Sequence, residues 1–314
     1  MSEGAYLNPI PMCWKNGVSR QREVMKNKLF IFGVGFSGKA IAEQAVSRSF
    51  EVCGTTRSGE RAAGARSENP RLIVFDGENA SSELEEELAD TTHLVISIAP
   101  GEKDPVLATI PNLMGIAPDL RWIGYLSTVG VYGNHDGAWV DEDTEPKPVS
   151  KRSIQRLNAE NAWQDLCVKH EIPLAIFRLS GIYGPGRNAF VNMESGKSRR
   201  LVKPGQVFNR IHRDDIGKAV NLAMEKHAPG IFNITDDEPA PPQDVVTLAH
   251  EIAGKEPLPE VDFETAELSP MARSFYGENK RVSNAKSKSE LGLSYLWPNY
   301  RVALERMWRD NSWQ

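Results

Sequence analysis

Short unbroken apolar runs alternate along this chain with longer stretches whose apolar residues recur at helical spacing. Residues 29–32 are apolar without interruption, as a strand covered on both faces requires. A glycine-rich turn over 33–38 follows. Beyond it, Ala40, Ile41, Ala45 and Val46 mark one face of a helix. The same reading predicts strands over 51–56, 72–75, 94–98, 122–126 and 174–177, with an acidic helix over 81–89. Strand and helix in strict alternation imply right-handed crossovers and a parallel, doubly wound α/β sheet.

The alternation loosens after residue 181, where Pro185, Gly186, Pro204 and Gly205 break the chain. A helix is expected to start with Asp214 or Asp215 as its N-cap, and another to run over 245–253 after the turn at 239–242. The predicted organisation is an N-terminal extension over 1–24 and a nucleotide-binding domain over 25–180. Residues 206–235 return to that domain through a strand at 231–234. A smaller C-terminal substrate lobe is built from 181–205 and 236–314.

Composition narrows the class without naming a function. The 314 residues are 40% hydrophobic and 25% charged, as in an ordinary globular protein. A net charge of −5 offers no global basic field for nucleic acid or an anionic membrane. No apolar run approaches the ~18 residues that cross a bilayer. Cys13, Cys53 and Cys167 are isolated, with neither a disulfide framework nor metal-ligand spacing, which fits a reducing, cytoplasmic setting and no metal.

The turn after the first strand reads Gly33-Val34-Gly35-Phe36-Ser37-Gly38, a G-x-G-x-x-G between a predicted strand and a predicted helix. Gly33 permits the tight turn, Gly35 lets the backbone approach a pyrophosphate, and Gly38 lets helix and strand pack closely. This is the Rossmann arrangement, and the backbone N–H groups of Phe36, Ser37 and Gly38 would face the phosphates. The second strand chooses between cofactors. An NAD site places a carboxylate at its end, whereas this chain reads Gly54-Thr55-Thr56-Arg57-Ser58 with no acid until Glu60. Arg57, with Thr56 beside it, suits a 2′-phosphate, so NADP(H) is preferred to NAD(H).

Three later motifs stand in order. They are Ser127-Thr128-Val129-Gly130-Val131-Tyr132-Gly133, then Arg178-Leu179-Ser180-Gly181-Ile182-Tyr183-Gly184-Pro185-Gly186-Arg187, then Arg210-Ile211-His212-Arg213-Asp214-Asp215. Together with the glycine turn they resemble the NAD-dependent epimerase/dehydratase branch of the extended short-chain dehydrogenase/reductase superfamily, over about residues 27–300. The resemblance implies that the Thr128 hydroxyl polarises a substrate. It also implies a tyrosine and a lysine four residues apart on the next helix, as general acid/base and its partner. Aligned on Ala159-Glu160, those positions hold Arg152 and Arg156, and no tyrosine lies between Tyr132 and Tyr183. An arginine is effectively always protonated and cannot replace a phenol in a proton relay.

The resemblance further implies cofactor contacts from Asp76, Ala99, Pro100 and Ser180, a substrate-side place for Tyr132, and substrate contacts from Arg152, Arg187 and Arg210, with Arg187 or Arg210 meeting an anionic group. Arg156 is expected either to hold ribose hydroxyls or to sit on an amphipathic helix surface, Asp76 either to meet adenine or to cap a helix, and Tyr132 either to act as a substitute acid or to pack. His212 is expected to be a locked structural residue, and the Arg199-Arg200 pair a solvated loop. Phe208 stands where nucleotide-sugar enzymes of the family often carry arginine. Two functions remain open at this level: an NAD(P)-dependent oxidoreductase or epimerase-like enzyme acting on a small carbonyl or sugar-like substrate, or a non-catalytic NADP(H) sensor. Either is expected as a monomer or homodimer.

Overall fold

The computed structural model describes Met1 and residues 27–65 and 67–314. Met1 aside, the expected extension over 1–24 lies outside the described residues.

Seven parallel strands form the central sheet: β1 (Lys28–Phe32), β2 (Glu51–Thr56), β3 (Arg71–Val74), β4 (His93–Ile96), β5 (Trp122–Thr128), β6 (Leu174–Leu179) and β7 (Gly230–Ile234). Their spatial order is β7-β6-β5-β4-β1-β2-β3. The chain therefore winds outward in both directions from the β1/β4 boundary. At that switch point the crossover loops diverge and leave a crevice outside the carboxyl ends of the strands. The apolar runs read from the sequence are mostly buried, because helices cover both faces of the sheet; the exceptions are Val74, exposed on the edge strand β3, and the half-buried Ile98 and Ile231.

Helix α1 (Phe36–Ser47) follows the glycine turn, and α2 (Gly59–Gly64) follows β2. The long α3 (Lys151–His170) carries Arg152 and Arg156, and α4 (Arg213–Glu225) packs on α1. Small residues permit that approach: a Cβ on Gly217 would stand 2.8 Å from the Ala40 carbonyl oxygen. The Asn221 and Gln44 side chains bridge the pair, reaching the Ile41 and Asp214 carbonyls at 3.2 and 2.9 Å. Trp122 is completely buried on this face and Trp163 on the opposite one.

The start of α4 departs from expectation. His212, not an aspartate, is the N-cap, its Nδ1 accepting the Asp214 N–H at 3.2 Å. Asp215 is unavailable because its carboxylate accepts the backbone N–H groups of Leu296 and Trp297, at 2.8 and 3.0 Å. That pair of bonds ties the C-terminal lobe to the sheet domain. The following helix begins at Pro242, earlier than its apolar pattern suggested, because proline is tolerated in a first turn. The lobe itself holds short paired strands, Gly181–Tyr183 with Arg210–His212 and Arg200–Val202 with Glu260–Asp262, and closes with α5 (Tyr300–Arg309).

Candidate functional site

The carboxyl edge of the sheet gathers most of the residues singled out in the sequence. Gly33 follows β1, Thr56 ends β2, Asp76 follows β3, Ala99 follows β4, Thr128 ends β5 and Ser180 follows β6. Parallel strands make this inevitable, since every strand presents the same end to the same side.

The glycine turn has the shape that a diphosphate needs. Gly33 sits at φ +94°, and its N–H donates to Thr55 Oγ1 at 2.8 Å. A Cβ on Gly38 would lie 2.4 Å from the Gly33 carbonyl oxygen, so α1 can approach β1 only with glycine there. Above Gly35 nothing stands within 4 Å of a built Cβ, and no side chain caps α1. The first turn of the helix therefore presents uncapped backbone N–H groups to open space, which fits a dinucleotide pyrophosphate.

At the end of β2, Thr56 Oγ1 accepts the Ser58 N–H at 3.2 Å, and Ser58 caps α2. Arg57 is exposed. Arg61, which sequence reasoning passed over, reaches back from α2 to the Val34 carbonyl at 3.0 Å. It adds a second cation beside the glycine turn, and its position four residues beyond Arg57 in a short helix was the available signal. Asp76 accepts the Glu78 and Asn79 N–H groups at 2.8 and 3.1 Å, and these bonds hold its carboxyl below the usual carboxylate range.

From there a cavity of about 1030 Å³ opens between the sheet edge and the lobe. Ala99, Pro100, Thr128, Arg152, Arg156 and Ser180 border its sheet side. Thr128 Oγ1 accepts the Gly130 N–H at 3.1 Å, leaving its own hydrogen free to donate. Arg156 turns inward rather than out to solvent. Its Nη1 donates to the Leu126 carbonyl at 2.5 Å, with the Tyr125 hydroxyl at 3.3 Å and the Ile98 carbonyl at 3.4 Å. The guanidinium is thus pinned to the ends of β4 and β5. Arg152 lies over the Phe275 ring at 5.2 Å across the cavity mouth.

Tyr132 does not belong to this site. It is completely buried, its hydroxyl donates to Asn233 Oδ1 at 2.8 Å, and the Arg178 guanidinium covers its ring at 4.8 Å. Burial pushes its hydroxyl above the usual phenol range, so the expectation of a substitute acid is overturned in favour of packing. Beneath Thr128, Glu160 binds Arg178 at 2.8 Å and accepts the Ser127 hydroxyl. This buried group fixes the end of β5.

Arg187 borders the cavity, but its guanidinium stacks on Phe36 of the glycine turn at 4.6 Å, with Arg213 on the same ring at 5.3 Å. It therefore stands between the cavity and the glycine turn. Arg199 is an exposed loop cation, as expected, that also borders the cavity, whereas Arg200 stands in the strand Arg200–Val202 and pairs with Glu260 at 3.1 Å. Arg210 lines the far wall together with Tyr183, Phe208 and Tyr300. His212 is locked as expected, stacked on Trp297 at 4.3 Å, and burial pushes its imidazole down to about 4.

The model of the NAD dependent epimerase/dehydratase family matches residues 117–235. A solved structure of a functionally unknown conserved protein from Silicibacter pomeroyi is 43% identical, covers 91% of this chain and 99% of its own, and superposes with a TM-score of 0.82. A Saccharomyces cerevisiae protein, YLL056C, is 25% identical over 88% of this chain and 96% of its own length. UDP-glucuronic acid 4-epimerase from Bacillus cereus, in complex with NAD, shares the fold with a TM-score of 0.71. It is 20% identical, over 88% of this chain and 96% of its own. The matched segment runs from just before β5 to just after β7, across the Thr128 motif and the lobe entry, so residues 117–235 carry the NAD-dependent epimerase/dehydratase family domain.

Proposed function

We propose that this chain is an NADP(H)-dependent oxidoreductase or epimerase-like enzyme with non-standard catalytic residues, acting on a small carbonyl or sugar-like substrate. One observation carries the reading: the free hydroxyl hydrogen of Thr128 and the guanidinium of Arg156 border the same large cavity, at the sheet edge where the glycine turn ends. The turn and the first N–H groups of α1 would hold the diphosphate. Arg57 and Thr56 would hold the 2′-phosphate, Asp76 the adenosine end, and Ala99, Pro100 and Ser180 the central riboses and nicotinamide side. When bound, the nicotinamide supplies or accepts hydride.

The chain's own residues do the rest. Thr128 donates to the substrate oxygen and orients it. Arg156, held close by Leu126, lowers the cost of negative charge developing on that oxygen. The ribose role given by the resemblance to the residue at this position is reduced, because the guanidinium is already bonded to Leu126. No phenol stands at position 152, and Tyr125 is buried with its hydroxyl pushed up to about 12. Proton transfer on this side therefore falls to water admitted by the open cavity. The same shortage of acids supports a second reading, a protein that binds NADP(H) through lobe closure without turnover.

Titration with NADPH and NADH, followed by nicotinamide fluorescence, tests the cofactor half. NADPH should bind more tightly, and Arg57→Asp should erase or reverse the preference. An unchanged NADPH/NADH ratio in that variant would refute the reading of β2. Consumption of reduced cofactor across a panel of carbonyl substrates separates enzyme from sensor, since only the enzyme shows turnover that Thr128→Ala abolishes. Among the described residues no helix is long and apolar enough to cross a membrane, and no cluster of three or more His, Cys, Asp or Glu side chains could hold a metal ion.

A further inference from the structure

The chain carries a net charge of −5, yet the wall of its large cavity is cationic. Arg152, Arg156, Arg187, Lys197, Arg199 and Arg210 all border it, and none is in a salt bridge among the described residues. The one carboxylate in the lining, Glu278, is already paired with Lys280 at 2.6 Å. A neutral carbonyl compound or sugar gives no reason for such a concentration of positive charge in an acidic protein. A cleft lined by one sign of charge instead raises the local concentration of its counter-ion.

Two of the six are already engaged on the sheet side, Arg187 on the Phe36 ring and Arg156 on the Leu126 carbonyl. Arg210 is different. It projects from the strand Arg210–His212, which lies parallel to Gly181–Tyr183 deep in the lobe. Its Nη1 donates to the Phe208 and Ala240 carbonyls at 2.9 and 3.1 Å, so the guanidinium is fixed in place. Its Nη2 and Nε make no hydrogen bond to another described residue. The guanidinium lies 5.7 Å over the ring of Tyr300.

Two phenols that border the same cavity hold buried hydroxyls without partners: Tyr183 and Tyr300, the latter only 1% exposed. An unpaired buried hydroxyl has lost its water without replacement, so two beside one half-used guanidinium form a prepared set of donors. The nearest acid does not cancel the charge. Asp236 accepts the Glu238 N–H at 3.2 Å, leaves Oδ2 unpartnered and forms no salt bridge with Arg210. Burial raises its carboxyl to about 8, which weakens it as a counter-charge to Arg210.

We infer that Arg210, Tyr183 and Tyr300 form the substrate-anchoring subsite, and that the group seated there is an oxyanion, the carboxylate or phosphate of an acidic substrate. The inference rests on the reading of this cavity as the substrate site and adds the chemical class. A planar guanidinium with two free donor positions meets two oxygens of such a head, and the phenol hydroxyls supply further donors. The reacting carbon then extends toward Thr128. A site of this kind rejects an uncharged analogue, because the buried donors and the cation would be left unpaired.

The test uses the full chain and three probes at constant ionic strength: malonate, inorganic phosphate, and neutral malonamide. Calorimetric titration should show binding of at least one anion and none of malonamide, the better anion identifying the head group. Arg210→Met should weaken that anion at least tenfold, and Tyr300→Phe or Tyr183→Phe about three- to tenfold. NADPH affinity should stay within twofold in all three variants. The two phenylalanine variants delete only unpartnered oxygens, so they should fold even if loss of the Phe208 and Ala240 bonds disturbs Arg210→Met. The inference is overturned if neither anion binds, or if both bind the phenylalanine variants as they bind the unaltered protein. Anion binding that depends on Tyr300 in a protein that ignores NADPH would sink the proposed function and leave this subsite standing.

Discussion

Removing the charge of Glu160 probes how the sheet edge under Thr128 is held. Glu160 and Arg178 are about 1% and 2% exposed and pair at 2.8 and 3.3 Å, with the Ser127 hydroxyl donating to the same carboxylate. Replacing the acid with Glu160→Leu leaves a guanidinium inside the protein with no counter-charge, beside a hydroxyl without its acceptor. Breaking a buried pair from one side costs about 3–5 kcal/mol. An unfolding entropy of about 2.1 cal/mol/K per residue over this chain converts that loss to a Tm decrease of about 5–8 °C. Glu160→Gln keeps the shape and one acceptor oxygen, so its loss should be smaller. The double variant Glu160→Met/Arg178→Met should recover most of the loss, because no isolated charge remains. Circular dichroism melts of the four proteins at fixed pH and salt measure all of this. A Glu160→Leu melt within 2 °C of the unaltered protein would refute the reasoning, as would a double variant as unstable as the single one.

Other consequences follow from the same geometry. Thr128→Val keeps the β-branched shape and deletes the donor hydroxyl, so turnover in the substrate panel should fall about 100-fold with NADPH affinity unchanged, about the loss expected for one preorganised donor. Gly38→Ala would place a methyl group 2.4 Å from the Gly33 carbonyl oxygen, forcing α1 away from β1. It should destabilise the fold by about 1–3 kcal/mol and weaken NADPH more than tenfold, read by melts and fluorescence titration. His93 is buried against His227, its Nε2 2.9 Å from the partner ring nitrogen, and burial with that neighbour pushes it down to about 4. Its unfolded value is about 6.5, so the unfolded chain takes up the proton first. The stability it contributes is complete above pH 6.5 and is lost, by about 3 kcal/mol, as pH falls toward 4. His93→Phe should flatten the Tm profile across that window, and an identical profile would contradict it.

Much of the fold could be read from local pattern. The continuous apolar runs mark strands because a parallel sheet is covered on both faces, and the order of strand, glycine turn and helix was readable without further information. The motifs at 127–133, 178–187 and 210–215 came in order, and the helix carrying Arg152 and Arg156 was legible between them. These features are short in sequence, and their physics is local.

What the sequence left open depends on partners far along the chain. Tyr132 looked like a cleft residue, but Asn233, 101 residues away, takes its hydroxyl, and Arg178 covers its ring. Asp215 looked like a helix cap, yet the backbone of residues 296 and 297 claims its carboxylate and leaves capping to His212. Arg156 could face solvent or the site until β4 and β5 came together and offered it their carbonyls. The cationic corner at Arg210 exists only because α5 brings Tyr300 against the strand pair holding Tyr183 and Arg210. Periodicity along a chain determines which side of an element is apolar. Which polar groups then meet in the space between elements is settled by tertiary packing, because each takes the partner that best replaces the water it loses.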